Sequence, residues 1–254
     1  MLPLRSVCLL ALAVALSPAV SDAAGSRTPL PVAEDIQAYA IAPGVWQFMA
    51  WTTLDGSRIP ANGLVVVSGR KALLVNTGWT DAQASHIAEW VEKTTGAKVT
   101  LVVPTHAHAD TIGGLAALHR RGADSWAQEQ TATLARAAGR AVPRHLFQRS
   151  KDLKVGERVV KLAFHGAGHS PDNIVVWLPE ERILFGGCLV KAANASSPGN
   201  MEDAKLADWT TTLQAMMAAY PRPALVIPGH GDAGGFGLLG HTLGIVRAYL
   251  PHQK

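Results

Sequence analysis

The residues able to do chemistry concentrate in four short segments of the 254-residue chain. THAHADTIGG, residues 105–114, alternates His106 and His108 and follows them with Asp110. Imidazole and carboxylate are natural zinc ligands, and turning two histidines into one tight loop has a cost that a bound cation offsets. HGAGHSPDN places His169 after small residues, so its ring can be aimed while the backbone turns. FGGCLVK sets Cys188 behind two glycines, and VIPGHGD sets His230 between two more. Taken singly, a loop histidine is a solvated side chain and a cysteine a small buried hydrophobe. Together the six residues supply enough donors for two zinc sites, with a position left open for water or substrate.

Such a set needs a rigid frame. Residues 44–51 and 63–67 read as strands joined through the turn-rich TLDGSRIPAN, and 71–75 as a short buried strand. Thr80 and Gln83 fit a capping box, and Ile87, Trp90 and Val91 make an apolar stripe at helical spacing that stops at Gly96. Residues 99–103 are a β-branched run, and 113–121 and 129–138 read as short helices. In the second half, 158–164, 174–178 and 182–185 are strands, with 179–181 as a hairpin turn. A loop at 191–203, a helix at 206–220, a strand at 224–227 and a helix at 238–250 complete the chain. Strands grouped in each half and flanked by helices predict an α/β fold, two sheets packed together with helices outside. Every candidate ligand falls just past a strand end, where loops on a rigid scaffold present chemistry.

Composition narrows the class. Apolar residues make up 48% and charged residues 17%, a globular balance, and a chain this long buries a core without disulfide staples. Residues 1–23 carry Arg5, an apolar run from about residue 7 to residue 20, and small residues Ser21 and Ala23, which is the order of a secretory signal peptide. Ser17 and Pro18 break that run, and it is shorter than the roughly 20 residues a bilayer crossing needs. The expectation is a single domain at 24–254, exported to the periplasm, with no membrane anchor in the mature chain. Cys8 leaves with the signal, so the mature chain keeps Cys188 alone. In an oxidising compartment a lone cysteine is paired between chains, buried and inert, or a metal ligand. The net charge of +4 suits an anionic substrate, and no Lys/Arg run interleaved with aromatics points to nucleic acid.

HAHAD, GAGHS, GGCLVK, PGN and PGHG, in this order, resemble the class B (metallo) β-lactamases. Within that class the likeness is to the subclass with three histidines at one zinc and Asp-Cys-His at the other. The resemblance runs over nearly the whole mature chain, including IPANGLVV and GNMEDA. Broader relatives share HxHxD but commonly have another His next, where this chain has Thr111, and they carry a carboxylate at the position of Cys188. The resemblance implies an αββα sandwich of two mixed β-sheets with helices on the outer faces, and two Zn2+ as cofactors. His106, His108 and His169 would hold one ion, and Asp110, Cys188 and His230 the other. A water bound there has its pKa lowered toward about 7, and the thiolate form of Cys188 is enforced by the metal.

The same resemblance assigns catalytic roles to Asp110 and to Asn200, a donor near the lactam carbonyl. It makes Lys191 the binder of the substrate carboxylate, and residues 51–59 a flap with Trp51 and Ile59 as apolar contacts. The implied partner is a small β-lactam (a penicillin, cephalosporin or carbapenem), and a monomer is expected. Two other readings stay open: a lactone or thioester hydrolase on the same scaffold, and a non-catalytic zinc-binding protein. One departure stands out. Asn76 replaces the Asp of most relatives, which removes a negative charge beneath the metal centre and predicts weaker retention of the second zinc.

Overall fold

Strand β4 (Ser57–Ser68) shows how the sequence builds layers. Its side chains alternate between faces: Val65 joins a core shared with helices, whereas Leu64 and Val66 join a core shared with a second sheet. The neighbouring strand β5 (Lys71–Val75) splits in the same way, Leu74 to the helices and Leu73 and Val75 to the opposite sheet. Strands apolar on both faces must be covered on both, and that requirement produces four layers. The description covers residues 28–250 of a computed structural model.

The first sheet has eight strands in chain order: β1 (Leu30–Ala33), β2 (Ile36–Ala42), β3 (Val45–Leu54), β4, β5, β6 (Lys98–Val103), β7 (Asp124–Gln128) and β8 (His145–Phe147). Pairing is antiparallel up to β5 and parallel from β5 to β8. The second sheet runs β13 (Leu225–Pro228), β12 (Ile183–Gly187), β11 (Val175–Leu178), β10 (Arg158–Ala163), β9 (Ser150–Val155), with only β12 and β13 parallel. Helices α1 (Asp81–Thr95), α3 (Leu115–Arg120) and α4 (Glu129–Ala137) cover the outer face of the first sheet. Helices α5 (Leu206–Ala219) and α6 (Gly237–Tyr249) cover that of the second around fully buried Trp209. This is the αββα sandwich of two mixed sheets.

The expected elements are present, and several more. Helix α1 begins where Thr80 Oγ1 accepts from Gln83 N at 3.2 Å and ends at Gly96 with φ 69°. Much of the turn-rich segment expected to join the first two strands is instead their extension. β3 and β4 continue as a hairpin to a tight turn at Asp55 and Gly56, whose φ values of 48° and 77° are those a two-residue hairpin turn requires. The helix expected at 113–121 is α3, and a further short helix, α2 (Ala109–Ile112), precedes it. They break at Gly113 and Gly114, where an added Cβ would stand 2.2 Å from Trp79 O and 2.3 Å from Ala84 Cβ. Strands β1, β2, β7, β8 and β9 were not expected. Among the described residues no helix is long and apolar enough to cross a membrane. The signal-peptide segment 1–23 lies outside the described residues.

Candidate metal centre

All six candidate ligands converge on one floor between the sheets. His106, His108 and Asp110 come from the loop leaving β6, which runs directly into α2. Thr111 braces that loop: its hydroxyl donates to the carbonyls of His106 and of His108, the latter at 3.1 Å. His169 sits in the loop between β10 and β11, closed by Ser170 N donating to Asn173 Oδ1 at 2.9 Å and Asn173 Nδ2 donating to Gly166 O at 2.9 Å. Cys188 follows β12 and His230 follows β13. Gly229 lets those two loops meet, because a Cβ there would lie 2.4 Å from Cys188 Sγ.

The three histidines of the first group stand edge to face. Ring centroids of His106 lie 4.5 Å from His108 and 5.0 Å from His169, and His108 Nδ1 is 3.2 Å from His169 Nε2. His108 Nε2 donates to Asp203 Oδ2 at 2.7 Å, which leaves Nδ1 as a free lone pair facing inward. His106 Nε2 is buried with no hydrogen-bond partner. In the second group, Cys188 Sγ lies 3.4 Å from Asp110 Oδ2 and 3.4 Å from His230 Nε2, and His230 Nε2 is 3.5 Å from Asp110 Oδ2. His230 Nδ1 donates to Pro60 O, so its other nitrogen is likewise turned to the floor.

The donor atoms fall into three overlapping groups, each within 4.8 Å: His106, His108 and Asp110; His106, His169 and Cys188; Asp110, Cys188 and His230. An orphaned buried imidazole nitrogen is costly unless something accepts its lone pair. That orphan, set among thiol, carboxylate and imidazole donors, fits a metal centre. Electrostatics agree. Burial pushes the pKa of His106 and of His169 well below the ordinary imidazole value, so both offer lone pairs at neutral pH. Burial pushes the Asp110 carboxyl up, yet His106, His230 and His108 around it outweigh that and hold it below the usual range. Burial, with Asp110 alongside, pushes the Cys188 thiol well up, so without a cation it keeps its proton.

Above this floor opens a cavity of about 920 Å³. Its wall includes Ile59, Lys191 and Asn200 from the expected set. Lys191 is tethered by its backbone N donating to Thr242 Oγ1 at 2.9 Å, and its Nζ lies 5.3 Å from the Trp209 ring centroid. Burial lowers its pKa. Asn200 is exposed, with Oδ1 accepting from Glu202 N at 3.0 Å. Trp51 stands outside the wall on the hairpin, half-buried beneath Arg58, whose Cζ is 5.0 Å from its ring. Leu54 and Trp79 line the wall, as do Arg140 and Asp203. The sequence reading named none of these four. Asp203 reaches His108 across 95 residues of chain, a contact no local spacing encodes.

Asn76 lies beneath the centre, buried, at the end of β5 with φ 61°. Its Nδ2 donates to Asn62 O at 3.1 Å, and its Oδ1 accepts from Thr105 N and Thr105 Oγ1, both at 3.0 Å. Asn62 in turn donates to Pro228 O at 2.9 Å and Gly231 O at 2.7 Å. The two amides thus link the residue before His106 to the loop carrying His230. Sequence reasoning singled out Asn76 but not Asn62.

Residues 56–230 match the family described as the metallo-β-lactamase superfamily. A metallo-β-lactamase type 2 of Bacteroides fragilis is 38% identical over 226 residues, 89% of this chain and 91% of that protein. Among solved structures, a metallo-β-lactamase from Pontibacter korlensis superposes with a TM-score of 0.81 at 35% identity, covering 84% of this chain and 99% of that one. The metallo-β-lactamase FIM-1 from Pseudomonas aeruginosa, solved in a mono-zinc form, gives 0.81 at 33% identity, covering 87% and 99%.

Proposed function

Because the chain belongs to the metallo-β-lactamase superfamily, we propose that it is a periplasmic zinc hydrolase that opens β-lactam rings and so confers antibiotic resistance. In this reading residues 1–23 are the signal peptide and residues 24–254 one domain acting as a monomer. His106, His108 and His169 would hold one zinc, and Asp110, Cys188 and His230 a second. When bound, the zinc ions supply a hydroxide nucleophile at neutral pH and an electrophile for the charge that develops as the amide C–N bond breaks.

The chain's own side chains do the rest. Lys191, on the cavity wall beside Cys188 and Asp110, anchors the substrate carboxylate. Asn200 has its Oδ1 engaged by Glu202 N, so Nδ2 is the donor offered to the lactam carbonyl oxygen. Asp110, a carboxylate at neutral pH, accepts a hydrogen bond from the hydroxide nucleophile and orients it. Leu54 and Ile59, on the hairpin, give the bicyclic nucleus an apolar wall. The cavity is large enough for penicillins, cephalosporins and carbapenems alike.

The observation that carries this reading is the meeting of six metal donors on the floor of an open cavity that also holds Lys191. The test is hydrolysis of a chromogenic cephalosporin and a carbapenem by the purified mature chain, with and without a zinc chelator. Chelation is expected to remove both activities and zinc to restore them, with two zinc ions per chain by metal analysis. Two bound zinc ions with no hydrolysis of either drug would redirect the reading to a lactone or thioester substrate.

A further inference from the structure

Arg140 has no part in the chemistry described so far, yet it lies in the cavity wall and is, among the described residues, the only arginine there. It follows α4, half-buried, and its Nη1 donates to Ala107 O at 3.3 Å, the carbonyl between His106 and His108. Some arginines of the chain pair with carboxylates, as Arg120 does with Asp81 at 2.7 Å and Arg158 with Glu181 at 2.6 Å. Arg140 has no carboxylate within ion-pair distance among the described residues. Of the acids in the same wall, Asp110 belongs to the metal floor and Asp203 is taken by His108. Glu202 is exposed, its backbone N turned to Asn200.

A guanidinium carries five donors in a planar fork suited to a carboxylate or sulfonate. One bond to Ala107 restrains this fork, and its other donors have no partner among the described residues on a side chain that lines the cavity. Lys191 comes from the loop after β12 in the second sheet, its charge felt by His169, Cys188 and Asp110, whereas Arg140 approaches from the chain after α4. The cavity therefore presents two cations at separate places, and a β-lactam nucleus brings one carboxylate for one of them.

We propose that Arg140 is a specificity residue that recognises a second negative charge on the substrate, carried by the side chain remote from the ring carboxylate. This rests on the reading of the chain as a β-lactamase and of Lys191 as the anchor of the ring carboxylate. Dianionic β-lactams are then favoured over their monoanionic analogues, and the preference weakens with ionic strength, because a half-exposed ion pair is screened by salt.

The test uses the zinc-loaded enzyme with benzylpenicillin and its α-carboxy derivative, two penicillins that differ by one carboxylate. The readout is the ratio of their kcat/KM values, dianion over monoanion. In Arg140→Gln, which can keep a donor to Ala107 O, that ratio is expected to fall about tenfold, the scale of one charge-assisted hydrogen bond. Arg140→Lys is expected to retain part of the preference, and salt is expected to lower the ratio for wild type but not for Arg140→Gln. An unchanged ratio, or proportional loss on both penicillins, would overturn the proposal and make Arg140 a brace for the His106–His108 loop. Wild-type enzyme inactive on both penicillins would instead sink the β-lactamase reading, and this inference with it.

Discussion

The two groups of donors on the cavity floor are held in opposite ways. The three-histidine group is aimed partly from outside: His108 depends on Asp203, whose side chain is 49% exposed on the loop over the cavity. The Asp-Cys-His group is tied from within. His230 is turned by the backbone of Pro60, its loop by the side chain of Asn62, and Cys188 is reached only because Gly229 has no side chain. Their chemistry differs too. Burial makes His106 and His169 ready donors, but it locks the proton onto Cys188. One group is prepared for a cation and the other is completed by it. A deeply buried ligand is therefore not the same thing as a ready one.

The strongest way to break this contrast is Cys188→Ala. Loss of the thiolate is expected to empty the second position and lower kcat/KM roughly a thousandfold, several kcal/mol of transition-state stabilisation. The pH dependence carries a sign. A thiol pKa raised in the metal-free protein means that zinc must displace a proton at neutral pH, so affinity at this position rises with pH until the thiol ionises unaided. Calorimetry in buffers of different ionisation heat should detect that proton in wild type and not in Cys188→Ala.

Asp203→Ala probes the other group. Losing the acceptor of His108 Nε2 frees the ring to rotate or change tautomer, and zinc affinity at the three-histidine position is expected to fall about 10–100-fold. Chelator competition that found equal losses at both positions would mean the two groups are not separately held. The smallest effect belongs to Asn76→Asp. The new oxygen would face Asn62 O where Nδ2 now donates, costing the metal-free protein about 1–3 kcal/mol, read as a lower midpoint of urea unfolding. The added negative charge should meanwhile tighten retention of the second zinc. Zinc affinity equal to wild type would refute the expectation drawn from this departure.

The convergence of the six candidate donors was legible because strand-end loops carry them in compact motifs, with small residues marking where the backbone must turn. The hairpin over the cavity was half legible: the Asp55-Gly56 turn stands in plain sight, but the polar residues around it read as a turn-rich connection rather than as strand. Strands β1, β7 and β8 are short, and their pattern is too mixed for a period-2 signal to rise above its surroundings. Asp203, Asn62 and Arg140 were illegible for another reason. Each acts through hydrogen bonds to residues distant in the chain, and such bonds leave no trace in local spacing.

The division of ligands between the sheets has a consequence for assembly. His106, His108 and Asp110 hang from the first sheet, and His169, Cys188 and His230 from the second. Neither half of the chain carries all six donors alone, so a bound ion would act as a rivet through the seam where the two sheets meet. It resists their separation, and an intermediate with only one sheet formed gains none of its binding energy. Metal supply in the compartment where the chain folds would then set how much of it survives there, as well as how fast it turns over.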